Sequence, residues 1–193
     1  MAAKPGERKL QILQTIARML EDESGEKVTT AALAARLDVS EAALYRHFAS
    51  KAQMYEGLIE FIESSLFSVI NQIAAEEDSG LRQVELSMAA LLSFAQRNRG
   101  LTRVLVGDAL VHENPRLQTR INQLLARLEA SLKQSLKVAA TQGGYPDNPD
   151  FASHADALIC HVLGRWLRFV KGGFRPEDDP LATWAAQWPI LAS

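Results

Sequence analysis

The stretch VTTAALAARLDVSEAALYRHFASK, Val28 to Lys51, decides the fold. Thr30 can cap a short helix whose apolar positions are Leu33, Ala34 and Leu37, and Asp38-Val39 ends it. Ser40 caps a second short helix, with Glu41 in the first turn, where a carboxylate suits the helix dipole. That helix turns Ala43, Leu44 and Phe48 inward and leaves Glu41, Ala42, Tyr45, Arg46 and His47 outward to differing degrees. Two short helices joined by a tight turn, the second opening on small residues, form a helix-turn-helix pattern. Small residues let a helix backbone approach base edges in a major groove, while nearby hydroxyls and cations hold phosphates.

The pattern TTxxLAxxxxVSxxxLYRHFxxK resembles the DNA-binding domain of the TetR family of bacterial regulators. Its specific part is Leu-Tyr-Arg-His-Phe followed by Lys51. The family usually has glycine where this chain has Asp38, and Asp tolerates a left-handed turn better than most residues with a side chain. On this reading Thr30, Ser40, Tyr45, His47 and Lys51 hold phosphates, while Glu41, Ala42 and Ala43 face base edges. Arg46 fits either the groove or the scaffold.

Outside the motif, 193 residues allow one or two domains with a sizeable core. Apolar content of 47% and charged content of 23% fit a globular chain. The polar start MAAKPGERK and the lack of a long apolar run predict no signal peptide and no membrane span. A lone cysteine, Cys160, excludes an intrachain disulfide; its neighbours Leu158, Ile159 and Val162 predict a buried thiol. The net charge of −2 does not announce a nucleic-acid binder. Residues 1–55 carry eight Lys/Arg against seven Asp/Glu, and the remainder thirteen against sixteen. A DNA-binding head must therefore work by placing a few cations, with Lys4, Arg8, Lys9, Lys27, Arg46 and Lys51 as candidates.

Helical periodicity fills the chain, and no segment alternates as a strand does. A first helix spans 8–21, with Leu10, Ile12, Leu13, Ile16, Ala17, Met19 and Leu20 recurring, and the loop DESGEK follows. Ser50 caps a long helix to about Glu77 with Glu56, Glu60 and Glu63 outside. Further helices run over 79–98, 101–110, from Pro115 onward, 151–171 and 181–191. Gly100, the loop 142–149, Gly172-Gly173 and the linker RPEDDP punctuate them. The expected architecture is all-α: a three-helix DNA-binding head, 1–52, on a six- or seven-helix dimerising and partner-binding body, 53–193. In the helix over 151–171, Leu158, Ile159, Val162, Leu163, Trp166 and Phe169 suggest either a central core helix or half of a four-helix homodimer interface. The second reading is favoured because a symmetric dimer reads a palindrome, and Gly164 would admit a partner helix.

Within the family, LIEFIE at 58–63, RNRGLTR at 97–103, GDALVHENPRLQTRINQL at 107–124 and the closing WAAQWP resemble the nucleoid occlusion branch. That resemblance implies a head that binds palindromic double-stranded DNA scattered over the chromosome. It also implies a body that binds the division tubulin homologue FtsZ and antagonises its ring, with no cofactor or inducer, in a cytoplasmic, nucleoid-associated protein. On a helical wheel, Tyr55, Leu58, Ile59, Ile62, Leu66, Val69, Ile70 and Ile73 share a stripe, with Phe61 on a flank shared with Met54. In the next helix Leu81, Val84, Met88, Leu91, Leu92 and Ala95 share a stripe, and Leu86, Ala90, Ser93, Phe94 and Arg97 fall on the other side. Packing on other body helices explains Leu86 equally well. Phe61, Ala90, Ser93, Phe94, Arg97 and Asn98 are the candidate groove for the apolar, acidic C-terminal tail of FtsZ, with Arg97 and Arg99 as cationic partners.

The alternative is a ligand-gated repressor with a body cavity drawing on His112, His154, His161, Arg165 and Trp166. The sequence offers no catalytic or metal-ligating set: there is no HExxH, no CxxC and no glycine-rich phosphate loop.

Overall fold

The computed structural model describes residues 5–22, 28–143 and 150–192. The candidate cations Lys4 and Lys27, and most of the loops expected at 22–27 and 142–149, lie outside the described residues. Among the described residues the chain is helical without strands: α1 (Pro5–Glu21), α2 (Thr30–Arg36), α3 (Glu41–Tyr45), α4 (Lys51–Glu76), α5 (Gly80–Arg97), α6 (Arg99–Leu105), α7 (Pro115–Thr141), α8 (Phe151–Lys171) and α9 (Trp184–Leu191). Short 3-10 turns lie at Asp108–Leu110 and Pro176–Asp178.

The residues gather into two compact units. One holds the described residues up to Ile62 together with Asn98–Arg120; the other holds Glu63–Arg97 and the described residues from Ile121 on. Helices α4 and α7 pass through both.

In the first unit Ile12, Ile16 and Leu20 of α1, Leu33 of α2, Leu44 of α3 and Met54, Tyr55, Leu58 and Ile59 of α4 are buried together in one core. Met54 thus belongs to the core and not to an exposed flank with Phe61, which is 46% exposed. Gly100 does not punctuate the chain as expected; it lies inside α6, and a Cβ built there would sit 2.0 Å from the Ala17 carbonyl oxygen. The break between α5 and α6 falls earlier, at Asn98, and a second comes at Gly107, whose φ of 77° suits a residue without a side chain. The helix expected over 101–110 is therefore α6 followed by a 3-10 turn.

The second unit is built on Val84, Met88, Leu91 and Leu92 of α5, Leu124, Leu128, Leu132 and Leu136 of α7, and Leu158, Val162 and Trp166 of α8. Trp166 Nε1 donates to the Leu91 carbonyl at 3.1 Å, which satisfies the one polar atom of the largest buried side chain. Leu158, Ile159, Val162, Trp166 and Phe169 all face this core, which corrects their assignment to a dimer interface. A single buried face accounts for them, because at 3.6 residues per turn positions 155, 158, 159, 162, 166 and 169 stay on one side. Cys160 is exposed, against expectation, because it lies on the opposite face with Ala157, Gly164 and Leu167. The expected linker at 175–180 is pinned: Arg165 donates to the Asp179 and Pro180 carbonyls at 2.5 and 3.3 Å. Helix α9 starts at Trp184, three residues later than expected, and none of its residues is buried, with Ile190 74% exposed.

Glu56, Glu60 and Glu63 do not simply face outward. Glu56 and Glu60 pair with Arg116 and Arg120 of α7 at 2.9 and 3.5 Å in the first unit, and Glu63 pairs with Arg127 in the second. By length and composition alone α4 is apolar enough to cross a membrane, which the sequence reading did not anticipate. One face of α4 is buried through Tyr55, Leu58, Ile59, Ile62, Leu66 and Ile70, its glutamates pair with α7, and Phe61 and Val69 stay exposed.

Candidate nucleic-acid interface and partner surface

The helix-turn-helix is assembled from caps. Thr29, not Thr30, caps α2: its hydroxyl accepts from Ala32 N at 3.1 Å. Thr30 is the first helical residue, and its hydroxyl donates to Glu41 Oε2 at 2.5 Å. Asp38 takes the left-handed turn, φ 52°, which Asp tolerates better than most residues with a side chain. Ser40 caps α3 by accepting from Ala43 N at 3.3 Å, as its position predicts. Leu44 and Phe48 are buried beneath the helix, and the Lys9 ammonium lies 5.5 Å from the centroid of the Phe48 ring.

These packing residues fix what α3 presents. Glu41, Ala42, Tyr45 and Arg46 are exposed together at i, i+1, i+4 and i+5, so one face carries two small or acidic positions followed by an aromatic and a cation. Ala43 and His47 are half-buried. Arg8 is tied to Gln11 Oε1 at 2.5 Å. Lys51, at the start of α4, is in an ion pair with Glu113 at 2.5 Å. Glu113 was not among the candidates, and no local signal marks it, because it stands 62 residues away in sequence.

The six partner-surface candidates fall into two sets. In the first unit Phe61 and Asn98 line one cleft of about 390 Å3, whose apolar wall is Leu10, Leu13, Ala17, Leu58 and Leu101. Gln14, Arg18 and Glu21 of α1 rim it. Leu10, one of the apolar positions recurring along α1, is 45% exposed and lines this cleft. In the second unit Ala90, Ser93 and Phe94 are half-buried along α5, and Arg97 is exposed in its last turn. Arg97 donates to the Ser93 hydroxyl and to the Ser93 carbonyl at 3.4 Å, so the guanidinium is held along that flank.

Of the five side chains that a ligand cavity in the body would draw on, three already meet main-chain carbonyls. Arg165 and Trp166 bond main-chain carbonyls, and His154 Nε2 lies 2.7 Å from the Leu191 carbonyl. His112 is exposed. His161 Nε2 is buried without a hydrogen-bond partner, and burial, then the Arg165 charge, lowers its pKa below 6.5. A depressed histidine makes the folded state bind fewer protons than the unfolded one, so stability is lost as pH falls below about 6.5 toward the folded value. Melting temperatures between about pH 5 and 8 should therefore fall on the acid side more steeply in the wild type than in His161→Asn. Parallel curves would remove His161 from the acid response.

The segment 12–58 matches the family model described as bacterial regulatory proteins, tetR family, and 78–193 matches the SlmA-like model described as tetracyclin repressor-like, C-terminal domain. The chain is 44% identical over 192 residues to the nucleoid occlusion factor SlmA of Marinomonas sp. strain MWYL1, covering 100% of this chain and 96% of that protein. It is 47% identical over 187 residues to the SlmA of Alteromonas mediterranea, covering 96% of each. The SlmA of Shewanella loihica is 47% identical over 192 residues, covering 99% of this chain and 96% of that one. Among solved structures it resembles the fatty acid degradation regulator FadR from Bacillus halodurans, with a TM-score of 0.80 at 14% identity over 100% of this chain and 97% of that one. It also resembles AibR, solved with isovaleryl coenzyme A and operator DNA, with a TM-score of 0.71 at 18% identity over 95% and 97%. At such identities the solved structures share the fold alone.

Proposed function

The chain belongs to the SlmA family of TetR-type regulators, and from that premise we infer that it is a nucleoid occlusion factor. In this reading residues 1–52 bind palindromic chromosomal DNA, and residues 53–193 dimerise and engage FtsZ through its C-terminal tail. The observation that carries it is the likeness at 44–47% identity across head and body alike; a shared DNA-binding head alone would leave the body free to diverge. The protein acts in the cytoplasm, on the nucleoid, and is not an enzyme.

The residues support three surfaces. Glu41, Ala42 and Ala43 at the start of α3 face base edges, with Arg46 beside them. Thr30, Ser40, Tyr45, His47 and Lys51 surround that face as phosphate ligands. A second copy covers the outward face of α8, where Ala157, Cys160, Gly164 and Leu167 are exposed, and the unburied α9 with Trp184, Trp188 and Ile190. The candidates for the apolar, acidic tail are two separate sets, Ala90, Ser93, Phe94 and Arg97 along α5 in the second unit and Phe61 and Asn98 in the cleft of the first.

Replacing Lys51 by alanine should weaken binding on all DNA sequences alike and reduce the salt slope by about one unit. An unchanged slope takes Lys51 out of the phosphate contacts. The function itself is tested by fluorescence anisotropy of a labelled FtsZ tail peptide titrated with the purified protein, with and without a palindromic duplex. Saturable binding is the expected result. No binding in either condition would point to a ligand-gated repressor, with thermal stabilisation by a metabolite panel as its support.

A further inference from the structure

In the free chain the Lys51 ammonium already holds an anion. Its Nζ lies 2.5 Å from Glu113 Oε1, and the two side chains are only 28% and 16% exposed. The same ammonium stands 5.6 Å from the centroid of the buried Tyr55 ring. The Tyr55 phenol is pushed above its ordinary range by burial first and by the Glu113 charge second, with Arg103 opposing.

Glu113 is anchored through its main chain, and the charged residues before and after it in sequence are already paired. Its N–H donates to the Leu110 carbonyl at 3.0 Å. On one side Asp108 is bonded by Arg103 at 2.8 Å; on the other Arg116 pairs with Glu56 at 2.9 Å. A parallel case occurs on α2, where the Thr30 hydroxyl donates to the Glu41 carboxylate at 2.5 Å. Two side chains assigned to DNA phosphates, from two different helices, are thus each satisfied by a carboxylate of the same unit.

We infer that Glu113 is an intramolecular surrogate for a DNA phosphate, and that DNA binding exchanges the Lys51–Glu113 ion pair for a Lys51–phosphate contact. The inference rests on the reading of Lys51 as a phosphate ligand. An ammonium has three donors, but two anions drawn to one cation repel each other at that range. The carboxylate therefore lowers the affinity for DNA and confines tight binding to sites whose other contacts repay the exchange.

The test is Glu113→Gln in the full-length protein, which keeps the side-chain size and removes the charge. Affinity for a palindromic duplex is measured at about 50 and 200 mM salt, alone and combined with Lys51→Ala. Glu113→Gln should tighten binding roughly three- to tenfold at the lower salt, with a smaller gain in the Lys51→Ala background. Without DNA its melting temperature should not rise. Weaker DNA binding would overturn the exchange and make Glu113 a residue that positions Lys51. An unchanged affinity would overturn it as well. An equal or larger gain in the Lys51→Ala background would do the same, since it would mean general repulsion between Glu113 and DNA. A normal salt slope in Lys51→Ala alone would remove the premise about Lys51, and that outcome is separate from the others.

Discussion

Gly100→Ala is expected to destabilise the protein by about 3 kcal/mol, read as a lower urea midpoint with an unchanged slope. The added methyl would sit 2.0 Å from the Ala17 carbonyl oxygen and 3.0 Å from its carbon. Both are backbone atoms of α1, so no rotamer change can clear them. Relief requires α1 and α6 to move apart. That separation would disturb buried Ile16 and Leu20 on α1 and Leu101 and Val104 on α6. It would also stretch the bond from Arg103 Nη1 to the Leu20 carbonyl, now 3.2 Å. A variant within about 0.5 kcal/mol of wild type would show that α1 and α6 do not approach this closely.

Arg97→Glu should weaken binding of the FtsZ tail tenfold or more while leaving DNA affinity unchanged. Arg97 is exposed in the last turn of α5, beside Ala90 and Phe94, and Ser93 holds its guanidinium in place. An acidic peptide laid on that flank would lose an attraction and gain a repulsion at one position. Reversal also sets a negative charge against the C-terminal end of the helix dipole, a loss of roughly 0.3–1 kcal/mol. A melting curve must accordingly show the variant folded before its binding is compared. Tail binding as tight as in the wild type would take Arg97 out of the partner surface and leave Phe61 and Asn98, which line the separate cleft of the first unit, as the remaining candidates.

Local chemistry made much of this legible in the chain. Ser40 and Ser50 cap where their positions say they should, Pro115 opens α7, and Asp38 adopts the left-handed turn. Each depends on a few adjacent residues. The misreadings share one cause. Thr29 and Thr30 are equivalent as potential caps, and only the chain's entry into α2 selects Thr29. Cys160 has apolar neighbours in sequence, yet i±1 positions point about 100° away on a helix, so they say nothing of its own side. Met54 and Phe61 lie one heptad apart on α4, but one is buried in the core of the first unit and the other lines a cleft.

By itself, then, the sequence determined that the chain is helical, that residues 28–51 form a helix-turn-helix, and which residues α3 presents, because periodicity and capping act within a turn or two. Only the tertiary structure decided that Lys51 is held by Glu113, that Arg103 ties α6 to the end of α1, and that Gly100 is a point of close approach. It also decided that Leu158, Ile159, Val162, Trp166 and Phe169 of α8 are core while Ala157, Cys160, Gly164 and Leu167 face outward. Those facts join residues tens of positions apart, and the pairing of distant charges and surfaces is set by how helices pack, which no local pattern encodes.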